Sequence, residues 1–287
     1  MRPVTRVLAE RIEGLEQLDG AAKALKSLVD RYVPERSELK DFLSGTWLGH
    51  PLHPVLTDVV VGAWTSSFLL DLIPGRKTRK ASDRLVDIGI LAAVPTALAG
   101  LSDWTDTRGG RRRVGLVHAS ANVVALWLYA SSSLARKRGR RMRGWWLSAA
   151  GYGVVNASAY LGGHLSFGLG VGVDENAFVE APTDWQPAIP SEELQDDVPT
   201  PVTVGGSEVL LLRRGATIHA ISNRCSHRGC SLHEGDFSGP NRVVCPCHGS
   251  TYSLDDGAIL HGPTTAPQPA YLTRIREGKV EVRLAHP

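Results

Sequence analysis

The 287-residue sequence has little net charge: 32 Lys and Arg against 29 Asp and Glu leave +3, too small an excess to suggest a nucleic-acid binder. It shows no low-complexity tract and no long internal repeat. It lacks a secretory leader, since no apolar core follows the early arginines. Apolar residues at 43 % and charged residues at 21 % exclude a disordered or collagen-like chain. Cysteine is scarce, with four in all, and these are confined to positions 225–247. Lys and Arg are missing from 171–200, and all charge is missing from two long apolar stretches. These gaps divide the chain. From Asp184 onward there are 9 basic against 12 acidic residues, and before it 23 against 17, so the two halves are read separately.

Residues 1–44 are charged, with apolar residues such as Leu8, Ile12, Leu15, Leu25 and Leu28 at three- and four-residue spacing. This predicts an amphipathic helical segment that lies on a membrane surface or packs on the protein or a second copy, a possible homo-oligomer. Apolar stretches follow at Val55–Ile73, Leu85–Leu101, Val114–Leu134 and Trp145–Gly170. The last two carry no Asp, Glu, Lys or Arg, while Asp58, Asp71 and Asp87 weaken the first two. Runs of about 18 or more apolar residues can span a bilayer, so four transmembrane helices are expected over 45–170. Arg76, Lys77, Arg79, Lys80 and Arg84 in the first loop, with Arg136–Arg138, Arg140, Arg141 and Arg143 in the third, place those loops in the cytoplasm. Arg108 and Arg111–Arg113 in the middle loop oppose this and are offset in part by Asp103 and Asp106. Both termini are then expected outside.

The acidic, Pro-rich stretch after Val171 reads as a linker over 171–183. From Asp184 the pattern is all-β, with short apolar runs such as Glu208–Leu212, Arg242–Val244 and Lys279–Leu284 separated by Gly turns. The fold class expected is multi-domain: an all-α transmembrane four-helix bundle followed by an all-β domain over 184–287.

Cysteine and histidine meet in two clusters, Cys225-Ser226-His227-Arg228-Gly229-Cys230 and Cys245-Pro246-Cys247-His248-Gly249-Ser250. Thiolate and imidazole suit soft and borderline metals. The donors allow a Cys₂His₂ zinc site or a [2Fe–2S] cluster with two cysteines on one iron and two histidines on the other. Each cluster offers Cys and His together, as Cys-x-His and then Cys-x-x-His, which suits a centre held between two loops.

The pattern closely resembles the Rieske family over the last third of the chain. The resemblance implies one [2Fe–2S] cluster, with Cys225 and Cys245 on the inner iron and His227 and His248 on the outer. It implies a Cys230–Cys247 disulfide of the quinol-oxidising bc type. Ser250 and Tyr252 match hydroxyls that hydrogen-bond a bridging sulfide and a cysteine sulfur, which raises the potential within a family range of about −150 to +300 mV. His261-Gly262-Pro263 resembles the proline loop over the cluster. A disulfide belongs to an oxidising compartment, in agreement with the outside terminus.

Gly49-His50-Pro51-Leu52-His53-Pro54 opens the first apolar stretch and resembles a bacterial four-helix membrane domain family of unknown function. His53, His118 and His164 fall toward one side of an up-down bundle and are candidates for haem b, a metal or a quinone. The alternative is interfacial histidines bonded to carboxylates and backbone.

The expected function is a membrane-anchored, multi-pass Rieske electron carrier of the bacterial cell membrane, with its Rieske domain outside. It would exchange electrons with quinol or a redox protein at the histidine edge, as one component of an oxidoreductase system. The alternatives are a ferredoxin-like donor to an oxygenase, and a redox sensor or assembly protein without turnover. A terminal oxygenase is disfavoured because the sequence stops soon after the motif.

Overall fold

The computed structural model describes residues 3–285. They form seven α-helices followed by nine β-strands: α1 (Val4–Glu13), α2 (Asp19–Tyr32), α3 (Glu38–Ser44), α4 (Leu52–Asp71), α5 (Arg76–Thr105), α6 (Gly109–Lys137) and α7 (Arg141–Gly163), then β1 (Gln186–Pro190), β2 (Thr200–Val204), β3 (Ser207–Arg214), β4 (Thr217–Ser222), β5 (Arg242–Val244), β6 (Thr251–Ser253), β7 (Ile259–His261), β8 (Tyr271–Arg276) and β9 (Lys279–Leu284). Two compact units result. One is helical and comprises the residues up to Val33 and Leu52–Val171. The other comprises Pro34–Pro51 and the chain from Gly172 onward, so the α3 segment groups with the β-sheets.

In the helical unit the N-terminal segment is two helices rather than one. α1 stops at Gly14, whose N–H bonds the Glu10 and Arg11 carbonyls, and a single 3₁₀ turn, Glu16–Leu18, leads into α2. Both pack on the unit: α1 on α6 and α2 on α5. Arg113 Nε and Nη2 each donate 2.7 Å to the Asp19 carboxylate, and Nη1 donates 2.8 Å to the Glu13 carbonyl.

Helices α4–α7 pack as neighbours in a ring, α4 on α5, α5 on α6, α6 on α7 and α7 on α4. Of these, α5 and α6 are long and apolar enough to cross a membrane. α7 falls short because Gly, Ser, Trp and Tyr interrupt its aliphatic residues. The interior is lined by small and polar residues, including Ser67, Ser82, Gly89, Ser132, Ser148 and Ser158, while Val59, Leu69, Leu91, Leu98, Val124 and Trp127 face outward.

The hairpins α4–α5 and α6–α7 repeat one another, which the sequence did not disclose. His53 meets the Thr96 carbonyl at 2.9 Å, and His118 meets the Ser158 carbonyl at 2.8 Å. Ser67 donates to the Ser82 carbonyl at 3.2 Å and Ser132 to the Gly144 carbonyl at 2.6 Å. Gly89 lies against Trp64, and Gly151 against Tyr129. Each contact in the first hairpin has its counterpart at one constant offset in α6 and another in α7. Counterparts also touch each other: Trp64 stacks on Tyr129 with centroids 3.9 Å apart, His53 meets His118, and Asp71 pairs with Arg136. Counterparts meet only along an axis relating the two copies, so an approximate two-fold runs between the hairpins.

The β unit has three three-stranded antiparallel sheets, ordered β1-β9-β8, β2-β3-β4 and β5-β6-β7. The apolar run Val209–Leu212 on β3 is buried on both faces. Val209 and Leu211 enter a core with Val280 and Val282, and Leu210 and Leu212 enter one with Cys225, Cys245 and Tyr252. β1 carries Pro187 and Pro190 and pairs along one side only, with a register shift; proline is confined to such edges.

Candidate metal centre

Two loops of like backbone build the site. In the first, Cys225 N–H bonds the Cys230 carbonyl at 2.9 Å and Gly229 N–H bonds the Cys225 carbonyl at 2.8 Å. In the second, Cys245 N–H bonds the Ser250 carbonyl at 2.8 Å and Gly249 N–H the Cys245 carbonyl at 3.1 Å. Both loops need a left-handed residue to close, and Gly229 (φ 71°) and Gly249 (φ 81°) supply it.

The loops bring the predicted residues together. Cys225 and Cys245 are buried at the floor. His227 and His248 stand with ring centroids 5.1 Å apart and planes at 90°. Cys230 and Cys247 form a disulfide that ties one loop to the other. Tyr252, fully buried, places its hydroxyl 3.3 Å from Cys225 Sγ in a hydrogen bond. Ser250 is also fully buried, and its Oγ has no hydrogen-bond partner among the described residues.

The two thiols are shifted in opposite directions. A hydrogen bond from Cys225 lowers the Cys245 thiol to about 7. The same contact, aided by burial, pushes Cys225 up. Burial pushes the Tyr252 phenol well up and keeps it protonated.

Several positioning residues gave no local sequence signal. Asn176 Nδ2 donates to the Arg224 carbonyl at 2.8 Å, Ser226 Oγ at 3.0 Å and Gln268 Oε1 at 2.9 Å. Gln268 Nε2 donates to the Ser222 and Arg224 carbonyls at 3.2 and 3.0 Å. This buried amide pair holds the first loop from behind. Asn176 lies in the stretch read as linker, and that stretch is bonded into the β unit by Glu175 N–H to the Ser226 carbonyl at 3.1 Å.

The second unpredicted element is α3. Ser37 caps it, accepting 3.2 Å from Lys40 N–H. Thr46 donates to the Thr264 carbonyl at 3.0 Å, and His261 Nδ1 lies 3.3 Å from Asp41 Oδ2. Arg36 packs over Gly249, and Lys40, buried, is among the cations near His227. Of the two histidines, His248 is 8 % exposed and His227 is half-buried.

The remaining histidines divide. His53 and His118 face each other in the helical unit. His164 does not join them; its Nε2 lies 2.8 Å from Glu13 Oε1 on α1.

The donor set fits a metal cluster. Two buried sulfurs and two imidazoles converge, and an unpartnered buried hydroxyl calls for an acceptor that the protein does not supply. Residues 184–272 match the Rieske [2Fe-2S] domain, and 49–175 match the family described as predicted membrane protein (DUF2231). The cytochrome b6-f complex iron-sulfur subunit of Chlorobaculum tepidum is 35 % identical over 78 residues, covering 27 % of this chain and 41 % of that protein. The anthranilate 1,2-dioxygenase ferredoxin subunit of Burkholderia cepacia is 31 % identical over 101 residues, covering 35 % of this chain and 93 % of that protein. Among solved structures, the ferredoxin of carbazole 1,9a-dioxygenase from Nocardioides aromaticivorans IC177 is 31 % identical, with 34 % of this chain and 94 % of that one covered at a TM-score of 0.32. The chain spans 41 % of the b6-f subunit and 20 % of a matching Sphingomonas terminal oxygenase component.

The loops and sheets thus define an iron–sulfur electron-transfer module. The chain belongs to the Rieske [2Fe–2S] family, here joined to a DUF2231 domain. Membership implies a [2Fe–2S] cluster.

Proposed function

We propose that the chain is a membrane-anchored, high-potential Rieske electron carrier, with Cys225 and Cys245 on one iron and His227 and His248 on the other. When bound, the cluster takes up and releases one electron. The observation that carries this reading is the disulfide between the loops combined with the Tyr252 hydroxyl on Cys225 Sγ. The Tyr252 hydroxyl bonds Cys225 Sγ, the buried Ser250 hydroxyl would donate to a bridging sulfide of the bound cluster, and such bonds favour the electron-rich reduced state. The disulfide resists parting of the loops and suits an oxidising compartment.

The proposed division is an N-terminal helical segment over 1–44, a membrane domain over 45–170, a linker over 171–183 and the Rieske domain over 184–287, although Pro34–Pro51 and the stretch from Gly172 group with the β unit. Helices α4–α7 are proposed to span the bacterial cell membrane, making the protein multi-pass. The small residues between these helices (Ser67, Ser82, Gly89, Ser132, Ser148) and their large aliphatic outer surface support this, since helices in lipid pack through small residues. The basic first and third loops support a Rieske domain outside the cytoplasm. The proposed partners are quinol or another membrane redox protein as donor, and a second redox protein as acceptor.

A second reading, a ferredoxin-like donor to an oxygenase system, is favoured by the match that covers 93 % of the anthranilate dioxygenase ferredoxin. An EPR-monitored redox titration of the full chain in detergent separates the two. A clearly positive midpoint supports the quinol-side carrier. A midpoint near the bottom of the family range supports the ferredoxin-like reading. Absence of a Rieske signal from folded, iron-reconstituted protein overturns both.

A further inference from the structure

The two-fold repeat of the helical unit brings two pairs of ionisable counterparts to its axis: the Asp71–Arg136 ion pair and a pair of imidazoles. His53 on α4 and His118 on α6 are counterparts, and their rings meet with centroids 6.3 Å apart and planes at 86°. Their helices are not neighbours in the ring of α4–α7, so the imidazoles approach across the bundle.

Each ring is set in the same way. Nδ1 of His53 lies 2.9 Å from the Thr96 carbonyl on α5, and Nδ1 of His118 lies 2.8 Å from the Ser158 carbonyl on α7. A carbonyl only accepts, so each Nδ1 carries the proton and each Nε2 keeps a lone pair. His118 Nε2 accordingly accepts from Asn122 Nδ2 at 3.1 Å. One turn beyond each carbonyl stands a glycine. A Cβ on Gly100 would come within 2.7 Å of the His53 ring, and one on Gly162 within 3.1 Å of the His118 ring. The repeat thus conserves a whole device between its copies: an imidazole, the carbonyl that orients it and the glycine that makes room for it.

Nε2 atoms so arranged cannot donate to a quinone carbonyl. They are metal donors with the outer-shell hydrogen bond that ligating histidines use. Among the described residues no third His, Cys, Asp or Glu joins them as a cluster of three. Protein sites for zinc take three or four side-chain ligands, whereas an iron porphyrin needs only axial ones. Two imidazoles bound to one metal at about 2 Å each have ring centres about 6 Å apart.

We propose that His53 and His118 are the two axial ligands of one iron porphyrin held on the two-fold axis of α4–α7. On loading, Asn122 yields His118 Nε2 to the iron. Thr96 and Ser158 are positioning residues that act through their carbonyls. His164 has no part in this site, being held by Glu13.

The test is uptake of hemin by the full-length chain in detergent, followed by visible absorption. The expected result is one haem per chain with the spectrum of a low-spin, six-coordinate bis-imidazole iron. His53→Ala and His118→Ala each lower retained haem at least tenfold, and His164→Ala leaves it unchanged. Helical circular dichroism certifies the fold of each variant, and His118→Met retains haem with an altered spectrum. The proposal is overturned if folded wild-type chain takes up no haem, if either alanine variant retains it unchanged, or if the pair binds iron or copper ions in preference to hemin. The Rieske EPR signal, scored in the same samples, reports on the other half of the chain and keeps the two assignments distinguishable.

Discussion

Thr46 donates its hydroxyl to the Thr264 carbonyl at 3.0 Å, joining the α3 segment to the loop that follows Gly262-Pro263. Asp41 and His261 form a second tie at 3.3 Å. These bonds tie the α3 segment to the His261–Thr264 stretch, and Arg36 of the same segment packs over Gly249, next to His248. Removing both ties with Thr46→Val and Asp41→Ala loosens this segment, each bond contributing about 0.5–1.5 kcal/mol. The expected outcome is faster reduction of the holoprotein by a small soluble reductant, read by stopped-flow absorbance, with the EPR line shape unchanged. An unchanged rate would show that α3 does not screen the histidine edge.

Tyr252→Phe removes the hydroxyl beside Cys225 Sγ and nothing else from the buried ring. A hydrogen bond to a charged group contributes about 1.5–3 kcal/mol, and only its difference between redox states moves the potential. For one electron, about 1.4 kcal/mol corresponds to about 59 mV. The midpoint is therefore expected to fall by tens of millivolts while the Rieske signal persists. No shift in the redox titration would remove Tyr252 from the tuning of the site.

Cys230 and Cys247 close a loop with a sequence separation of 17. A disulfide across a loop of this length stabilises by about 3 kcal/mol in the chain-entropy model. Cys230→Ser with Cys247→Ser is expected to lower the thermal midpoint of the β unit and to speed loss of the cluster's visible absorbance on warming. Equal cluster lifetimes with and without the bond would show that the amide pair Asn176–Gln268 is enough to hold the loops.

What the sequence disclosed depended on whether the cause was local. The Cys-x-His and Cys-x-x-His spacings lie in short loops that Gly229 and Gly249 close, so a local pattern marked where these loops form. The apolar run Glu208–Leu212 was legible as a strand, while its burial on both faces is seen only in the fold. Asn176 and Gln268 act across 92 residues of sequence, and no local pattern marks them. β1 was missed because Pro187 and Pro190 mask an edge strand. The helical repeat stayed hidden because backbone carbonyls carry much of it: Thr96 with Ser158, and Ser82 with Gly144, keep the acceptor while the side chain changes. The N-terminal periodicity was real, but Gly14 breaks it into two helices.

In the sequence Asp71 weakened the first apolar stretch, yet its side chain is only 3 % exposed and is paired with Arg136, itself 2 % exposed. Arg136 also bonds Asp83 and Ser82 at 2.9 Å each and Ser148 at 2.8 Å, while Arg141 reaches Asp71 at 2.8 Å. The pair joins counterpart positions of the two hairpins, so its loss acts on their packing together. Breaking a buried pair by removing one member costs about 3–5 kcal/mol, because the other charge is left buried. Arg136→Leu is expected to lower the thermal midpoint of the detergent-solubilised chain by several degrees, read by helical circular dichroism. Asp71→Leu with Arg136→Leu should cost less than the two single changes summed, since contacting residues couple and the double variant leaves neither charge stranded. Strict additivity would mean that Asp83 and Arg141 already satisfy the two groups, and that the Asp71–Arg136 contact contributes nothing of its own to joining the hairpins.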